Sequence, residues 1–382
     1  MTAIPCAIVR GGTSKGVFLL DDHLPSDPEQ RDRLLLAVMG SPDPRQIDGL
    51  GGADPLTSKV AIVARSNRTG FDVEYESLEI GIAEAQVTHG LMCGNLIAGV
   101  GHFALAEGLV EPQSPVTTIN IYCRSNQKMI VAKVALSTGG SQLPAAPERN
   151  TPVSLLFNNP GGAITGELLP AGEPVSLLSL DAYKDIAVSI VDAGTLYAFV
   201  RADALGLVGG ESVAALDGDT NFRASIELLR RQVAEHINRH GRSRTVVTPR
   251  LVKVAVIGPP AVGQHNADIV ARVVNSAKVH KAYAVSGGIC LAAAAAIQGS
   301  LVNQIVHPQS SPFSLRIAHP SGILSLRTHW SADDGGVLIH AAEIERSARI
   351  LLRGTAYVAP QAEPLAAEMY ERRPARLEAV EL

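Results

Sequence analysis

Two stretches decide the fold: THGLMCGNLIAGVGHFALAEGLV at residues 88–110 and AYAVSGGICLAAAAAIQGSLV at residues 282–302. Each leads to a mouth of small residues, Cys93-Gly94-Asn95 in the first and Ser286-Gly287-Gly288 in the second. Each then runs through apolar and small residues and closes on a glycine, Gly108 or Gly299, with Leu-Val close behind. A segment that is apolar all round reads as a helix buried on every side. The first helix is expected to begin at or just after Cys93. The unpaired N–H groups at such an end carry the positive pole of the helix dipole, bind anions and favour the thiolate of a cysteine placed there. A buried structural thiol is the competing reading of Cys93, because free cysteine is among the most buried residue types.

Working outward, the same order of elements precedes both helices. Residues 3–9 and 17–20 read as a hairpin with Arg10-Gly11-Gly12-Thr13-Ser14-Lys15-Gly16 at its tip, and residues 188–200 repeat that pattern around Asp192-Ala193-Gly194-Thr195. An amphipathic helix at 28–40, closed by Gly40, is echoed near 220–239. A strand follows each, at 58–63 and 251–257. Residues 71–89 alternate as strands do, and 117–136 give two more strands. Residues 137–174, rich in Gly, Pro and Ser, read as loops. After the second apolar helix come strands near 313–328 and 336–343, a polar, arginine-containing helix near 344–353 and a short strand, TAYVA. An internal duplication at very long period accounts for this order. The expected fold is α+β, with two pseudo-symmetric domains, 1–184 and 185–358, each a barrel-like sheet around its central helix, and a peripheral tail at 359–382. Duplication would set two helix mouths facing each other across a cleft, a good seat for a di- or trianion.

Composition narrows the function classes. Aromatics are only 4% of residues and the net charge is −4, so neither a base-stacking surface nor a basic footprint for nucleic acid is present. The longest apolar run, around 289–297, is too short to span a bilayer, so no membrane association is expected. Cys6, Cys93, Cys123 and Cys290 are far apart, without zinc spacing, and no secretory leader is recognisable. A reducing, cytoplasmic setting is expected, and no metal. The sequence leaves the oligomeric state open, a homodimer included.

Several side chains are candidates for chemistry. In the hairpin tip, glycines allow close backbone approach and Thr13 and Ser14 add hydroxyls; the order Ser-Lys-Gly is not that of a phosphate-binding loop. Lys59 enters an apolar strand after Thr57-Ser58. Buried, it would have a lowered pKa and serve as a proton acceptor; exposed, it would be an ordinary surface lysine. His319-Pro320-Ser321-Gly322 forms a turn with two ligand-capable groups. Gly99-Val100-Gly101-His102-Phe103-Ala104 matches a dinucleotide fingerprint in letters but lies inside a helix, and is rejected. His236 and His240 share one face of an arginine-rich helix and read as solvated.

Together, Arg10–Gly16, Gly49–Lys59 (GLGGADPLTSK), Cys93-Gly94-Asn95 and His319–Gly322 resemble the PrpF family over residues 4–358. The resemblance implies the diaminopimelate epimerase-like fold. It also implies a cofactor-independent isomerase that shifts a proton, by a 1,3-shift or cis–trans change, in an unsaturated di- or tricarboxylate such as 4-oxalomesaconate or 2-methylaconitate. It makes Lys59 and Cys93 the catalytic pair, with either as base. The substrate then lies against Thr13, Ser14, Gly94, Asn95, Ser286, Gly287, Ser321 and Gly322. Related epimerases use two facing cysteines. Here Ser286-Gly287-Gly288 stands where the second belongs, with Cys290 further into the helix, which weakens the alternative of an amino-acid racemase or epimerase. A non-catalytic carboxylate-binding accessory protein is the third reading.

Overall fold

The computed structural model describes residues 2–90, 92–136, 151–181, 184–261, 266–274, 278–333 and 336–358. The first part of the chain forms β1 (Thr2–Gly11), β2 (Ser14–Leu20), α1 (Pro28–Met39), β3 (Lys59–Arg65), β4 (Val73–Ile80), β5 (Val87–Thr88), α2 (Ile97–Ala106), β6 (Val116–Cys123), β7 (Lys128–Ala135) and β8 (Thr151–Asn158). The second part forms β9 (Ser176–Asp181), β10 (Lys184–Asp192), β11 (Leu196–Arg201), α3 (Val213–Gly218), α4 (Thr220–His240), β12 (Lys253–Gly258), β13 (Ile269–Val274), α5 (Val285–Ala296), α6 (Asn303–Val306), β14 (Phe313–His319), β15 (Gly322–Asp333) and β16 (Gly336–Val358). The tail expected at 359–382 lies outside the described residues.

The duplication read from the sequence is visible in the pairing. The path β1-β2-β3-β4-β6-β7-β8 has the same sequence of directions as β10-β11-β12-β13-β14-β15-β16. In both, the hairpin is antiparallel, its second strand pairs in parallel with the next (β2 with β3, β11 with β12), and a second parallel step brackets the buried helix (β4 with β6, β13 with β14). The parallel steps need crossovers. The helices supply them: α1 precedes β3, α4 precedes β12, and α2 and α5 cross inside. β16 is shared, pairing with β15, then β8, then β1, which closes the first eight-stranded ring.

α2 fills this ring, and α5 is buried against the sheet of the second half, because their small residues permit contact on all sides. A β-carbon at Gly99 would lie 2.7 Å from Val9 Cγ1, and one at Gly101 2.6 Å from Val134 Cγ2. The amphipathic helices instead cover the outside: α1 sits over Val17, Leu19, Val60 and Ile62, and α4 over Val254 and Val256. Asp27 caps α1 through its bond from Gln30 N, and Gly40, at φ 74°, ends it.

Two expectations fail. Residues 151–158 are not loop but the central strand β8, with Val153, Leu155 and Phe157 turned inward. The helix expected at 344–353 does not form; β16 runs unbroken through it. Bonding to β8 on one side and β1 further along satisfies its backbone, and Ile344 and Ala348 then fall on the core face. No helix among the described residues is long and apolar enough to cross a membrane.

Candidate active site

β4 is the frame on which the site is assembled. Side chains alternate across a strand, so Tyr75, Ser77 and Glu79 share the face that looks toward α2. Ser77 Oγ accepts the N–H of Cys93 at 2.9 Å, and the buried Tyr75 hydroxyl donates to the Cys93 carbonyl at 3.2 Å. α2 itself begins at Ile97, later than expected. The Ile97 N–H bonds back to the Cys93 carbonyl at 3.2 Å, so one helical turn still reaches the cysteine. Cys93 is thereby fixed, half-buried, at the mouth of the helix.

Lys59 opens β3 on the same inner face as Ala61 and Val63, and is 5% exposed. Its Nζ donates to Glu79 Oε1 at 2.5 Å, directly across the β3–β4 register. The lowered pKa expected from burial is not what the surroundings produce. Burial does press against the charge, but the nearby Cys93, the Glu79 charge and hydrogen bond, and Asp54 together outweigh it and raise the pKa. Lys59 is an ammonium at neutral pH.

The hairpin tip closes over the helix mouth. A β-carbon at Gly11 or Gly12 would strike Asn95, and the one at Gly12 would also lie 3.3 Å from Arg346 Cδ. Three buried polar atoms around this point have no hydrogen-bond partner among the described residues: Ser14 Oγ, Asn95 Oδ1 and Arg346 Nε. Thr13, at the tip, is exposed. Arg346 projects inward from β16 between Ile344 and Ala348, and burial lowers its pKa to about 10, so it keeps its charge. His319 lies in the field of Arg346; burial first, then Arg346, His280 and Arg272 push it down to about 4.

The two helix mouths do meet. A β-carbon at Gly94 would lie 2.6 Å from Val285 Cβ, and one at Gly194, the tip of the second hairpin, 3.9 Å from both Met92 Cε and Ser286 O. Gly287 is buried against Tyr197 and Tyr283, and Ser286 stays half-buried at the mouth. Cys290 is inside the helix: its thiol donates to Val191 O at 3.2 Å, and burial holds its pKa well up. No thiol stands opposite Cys93 at the mouth of α5. Ser321 and Gly322 form the exposed β14–β15 turn, where the Ser321 hydroxyl is bonded to the Lys281 carbonyl. Among the described residues no hydrogen bond joins them to Lys59 or Cys93.

Tyr75, Ser77, Glu79 and Arg346 were missed by motif. The first three could have been found from the alternation of VEYESLEI, which sets them on one face. Among the described residues no group of three His, Cys, Asp or Glu is placed to hold a metal ion.

A family model described as "PrpF protein" matches residues 1–359. The chain belongs to the PrpF family. Among PrpF relatives, the (4E)-oxalomesaconate Delta-isomerase of Novosphingobium sp. (strain KA1) is 37% identical, covering 94% of this chain and 98% of that one. The 3-methylitaconate isomerase of Eubacterium barkeri is 34% identical, covering 93% and 97%. The crystal structure of a methylitaconate-delta-isomerase superposes with a TM-score of 0.76 at 33% identity, covering 95% of this chain and 99% of that one. This PrpF chain is an isomerase with the diaminopimelate epimerase-like fold.

Proposed function

We propose that the enzyme moves a proton along the allylic system of an unsaturated di- or tricarboxylic acid, of the kind of 4-oxalomesaconate or 2-methylaconitate, with Cys93 and Lys59 as the proton-carrying pair. The observation that carries this reading is the charged Lys59, buried, tied to Glu79 and within electrostatic reach of Cys93. A lysine held as ammonium gives a proton rather than takes one, so Cys93 is the base and Lys59 the acid.

Cys93 Sγ takes the proton from the carbon allylic to the double bond. The electron pair of that C–H bond forms the new double bond, and the old double bond's pair moves onto the conjugated carboxylate as a dienolate. Lys59 delivers a proton to the far carbon, and the proton held by Cys93 then restores Lys59. The developing negative charge is met by N–H groups at the α2 mouth around Gly94 and Asn95, and by those of Ser286 and Gly287 opposite. Ser14 and Arg346, whose buried polar atoms await a partner, take a substrate carboxylate. Thr13 and the Ser321–Gly322 turn border the entrance.

We further read 1–184 and 185–358 as the duplicated domains, and place the enzyme in a reducing cytoplasm, where the half-buried Cys93 thiol stays free. Proton NMR in deuterated water, with a panel of aconitate-like and mesaconate-like acids, tests the activity. Deuterium entering an allylic carbon with the native chain, and lost in Lys59→Ala and Cys93→Ala of intact fold, is the expected result. Tight binding of such acids without exchange would return the protein to a carboxylate-binding accessory role.

A further inference from the structure

The duplication carries one more basic group to the site. β3 opens with Lys59-Val60-Ala61-Ile62-Val63 and β12 with Lys253-Val254-Ala255-Val256-Ile257. Each strand follows the outer helix of its half. Each pairs in parallel with the second hairpin strand, in the registers Val17↔Val60 and Ala198↔Val254. In β3 the inward residues are Ala61 and Val63; in β12 they are Ala255 and Ile257, both in the core that holds α2 and α5. Lys253 shares their parity, as Lys59 shares that of its neighbours, and sits at the matching strand end.

Two lysines thus reach the meeting point of the halves from opposite sides. Lys253 feels Lys59 and Glu79, and His280, just before α5, feels all three. Glu79 is already bonded to Lys59, and among the described residues no ion pair to Lys253 is formed. The other groups facing Lys253 are Arg230 from α4, which adds positive charge, and the buried Tyr197, its register partner on β11. Burial comes first in lowering its pKa; Glu79 opposes, while Arg230 and Lys59 assist. A half-buried amine beside two cations, with no counter-ion of its own among the described residues, is relieved when an anion arrives.

We propose that Lys253 is a further substrate-binding residue, giving its ammonium from the C-terminal half to a carboxylate of the acid held between it and the Cys93–Lys59 pair. The inference rests on the isomerase reading above. With Arg346 and Ser14 at the hairpin tip, it supplies a second carboxylate position and so favours acids with at least two carboxylates. Binding requires the charged form, so KM rises with pH through the lowered pKa of Lys253, below the ordinary lysine range.

The test is the exchange assay run as KM and kcat against pH for the native chain, Lys253→Met and Lys253→Arg, with melting curves to check folding. Lys253→Met is expected to raise KM tenfold or more with a smaller change in kcat. Lys253→Arg, charged at every pH, is expected to hold KM near the native value and to flatten its rise at alkaline pH. An unchanged KM in Lys253→Met overturns the inference. If that variant does not fold, an arginine profile identical to the native one overturns it. A native chain that exchanges none of the acids overturns the isomerase reading instead.

Discussion

Replacing Glu79 by glutamine tests which way the proton moves. Glu79 supplies both a charge and a hydrogen bond to Lys59, two of the influences that keep it an ammonium; without them burial is opposed only by Cys93 and Asp54 among the named influences. The Lys59 side chain is 6% exposed but that of Glu79 is 51%, so the pair is half screened. At 2.5 Å, a water-like dielectric gives about 1.7 kcal/mol for the pair, a lower bound for a partner so well buried. About 1.4 kcal/mol is tenfold in an equilibrium constant, so Glu79→Gln should lower the Lys59 pKa by shifting its ammonium–amine equilibrium about tenfold or somewhat more.

If Lys59 is the acid, the alkaline limb of the kcat/KM profile moves down by that amount, and activity near pH 7 changes little. Were Lys59 the neutral base, the same substitution would extend activity toward acid pH and raise it at neutrality. Exchange rates by NMR over a broad pH series separate the two. A gain of activity at neutral pH, or an alkaline limb that does not move in a folded variant, refutes the assignment of Lys59 as proton donor.

Other perturbations follow from the same geometry. Gly94→Ala forces a β-carbon against Val285 and should cost about 1–3 kcal/mol in thermal unfolding; adding Val285→Ala should recover most of it, and a single variant as stable as the parent would deny the contact. His102 is buried in α2 with its pKa lowered to about 4, so the unfolded chain binds its proton more readily. Its contribution is complete above about pH 6.5 and is lost as pH falls through 4, about 3 kcal/mol in all; His102→Leu should flatten the acid side of the stability curve. His89 bridges Asp32 at 3.0 Å and Glu76 at 3.3 Å, and though burial opposes it, these bonds raise its pKa. That contribution is present below about pH 6.5 and fades as pH rises through the raised pKa. Because the pairs are partly exposed, His89→Gln should cost under about 1 kcal/mol, measurably more at pH 6 than at pH 9.

Local sequence was informative where local forces decide. The apolar helices, their small residues and the hairpin tips announce themselves because burial on all sides leaves a composition nothing else explains. β16 misled because Ile344, Ala348 and Leu351 stand at helical spacing, with Arg346, Arg349 and Arg353 recurring beside them. Only pairing with β8 and β1, fixed far away in the chain, makes that segment a strand. β8 was hidden because flanking Pro and Gly dominate its neighbourhood. For Lys59 the sequence left burial and exposure both open and gave no sign of its charge: Glu79 stands opposite it only once β3 and β4 are in register.

The frame is doubled but the chemistry need not be. Epimerisation at one carbon removes a proton from one side and returns it on the other, which is why a base from each half suits it. An allylic shift can take and return the proton on one face of a planar carbon system, so both proton carriers can stand in one half. The differences between the halves follow that logic. Cys93 stands at its helix mouth while Ser286 holds the matching place and Cys290 is sealed inside. Lys59 has a carboxylate partner and keeps its charge, whereas Lys253 forms no ion pair among the described residues and, on the inference above, takes the carboxylate of the acid. On the proposed reading, the first half moves the proton and the second holds the acid, and the duplicated fold supplies the alignment between them.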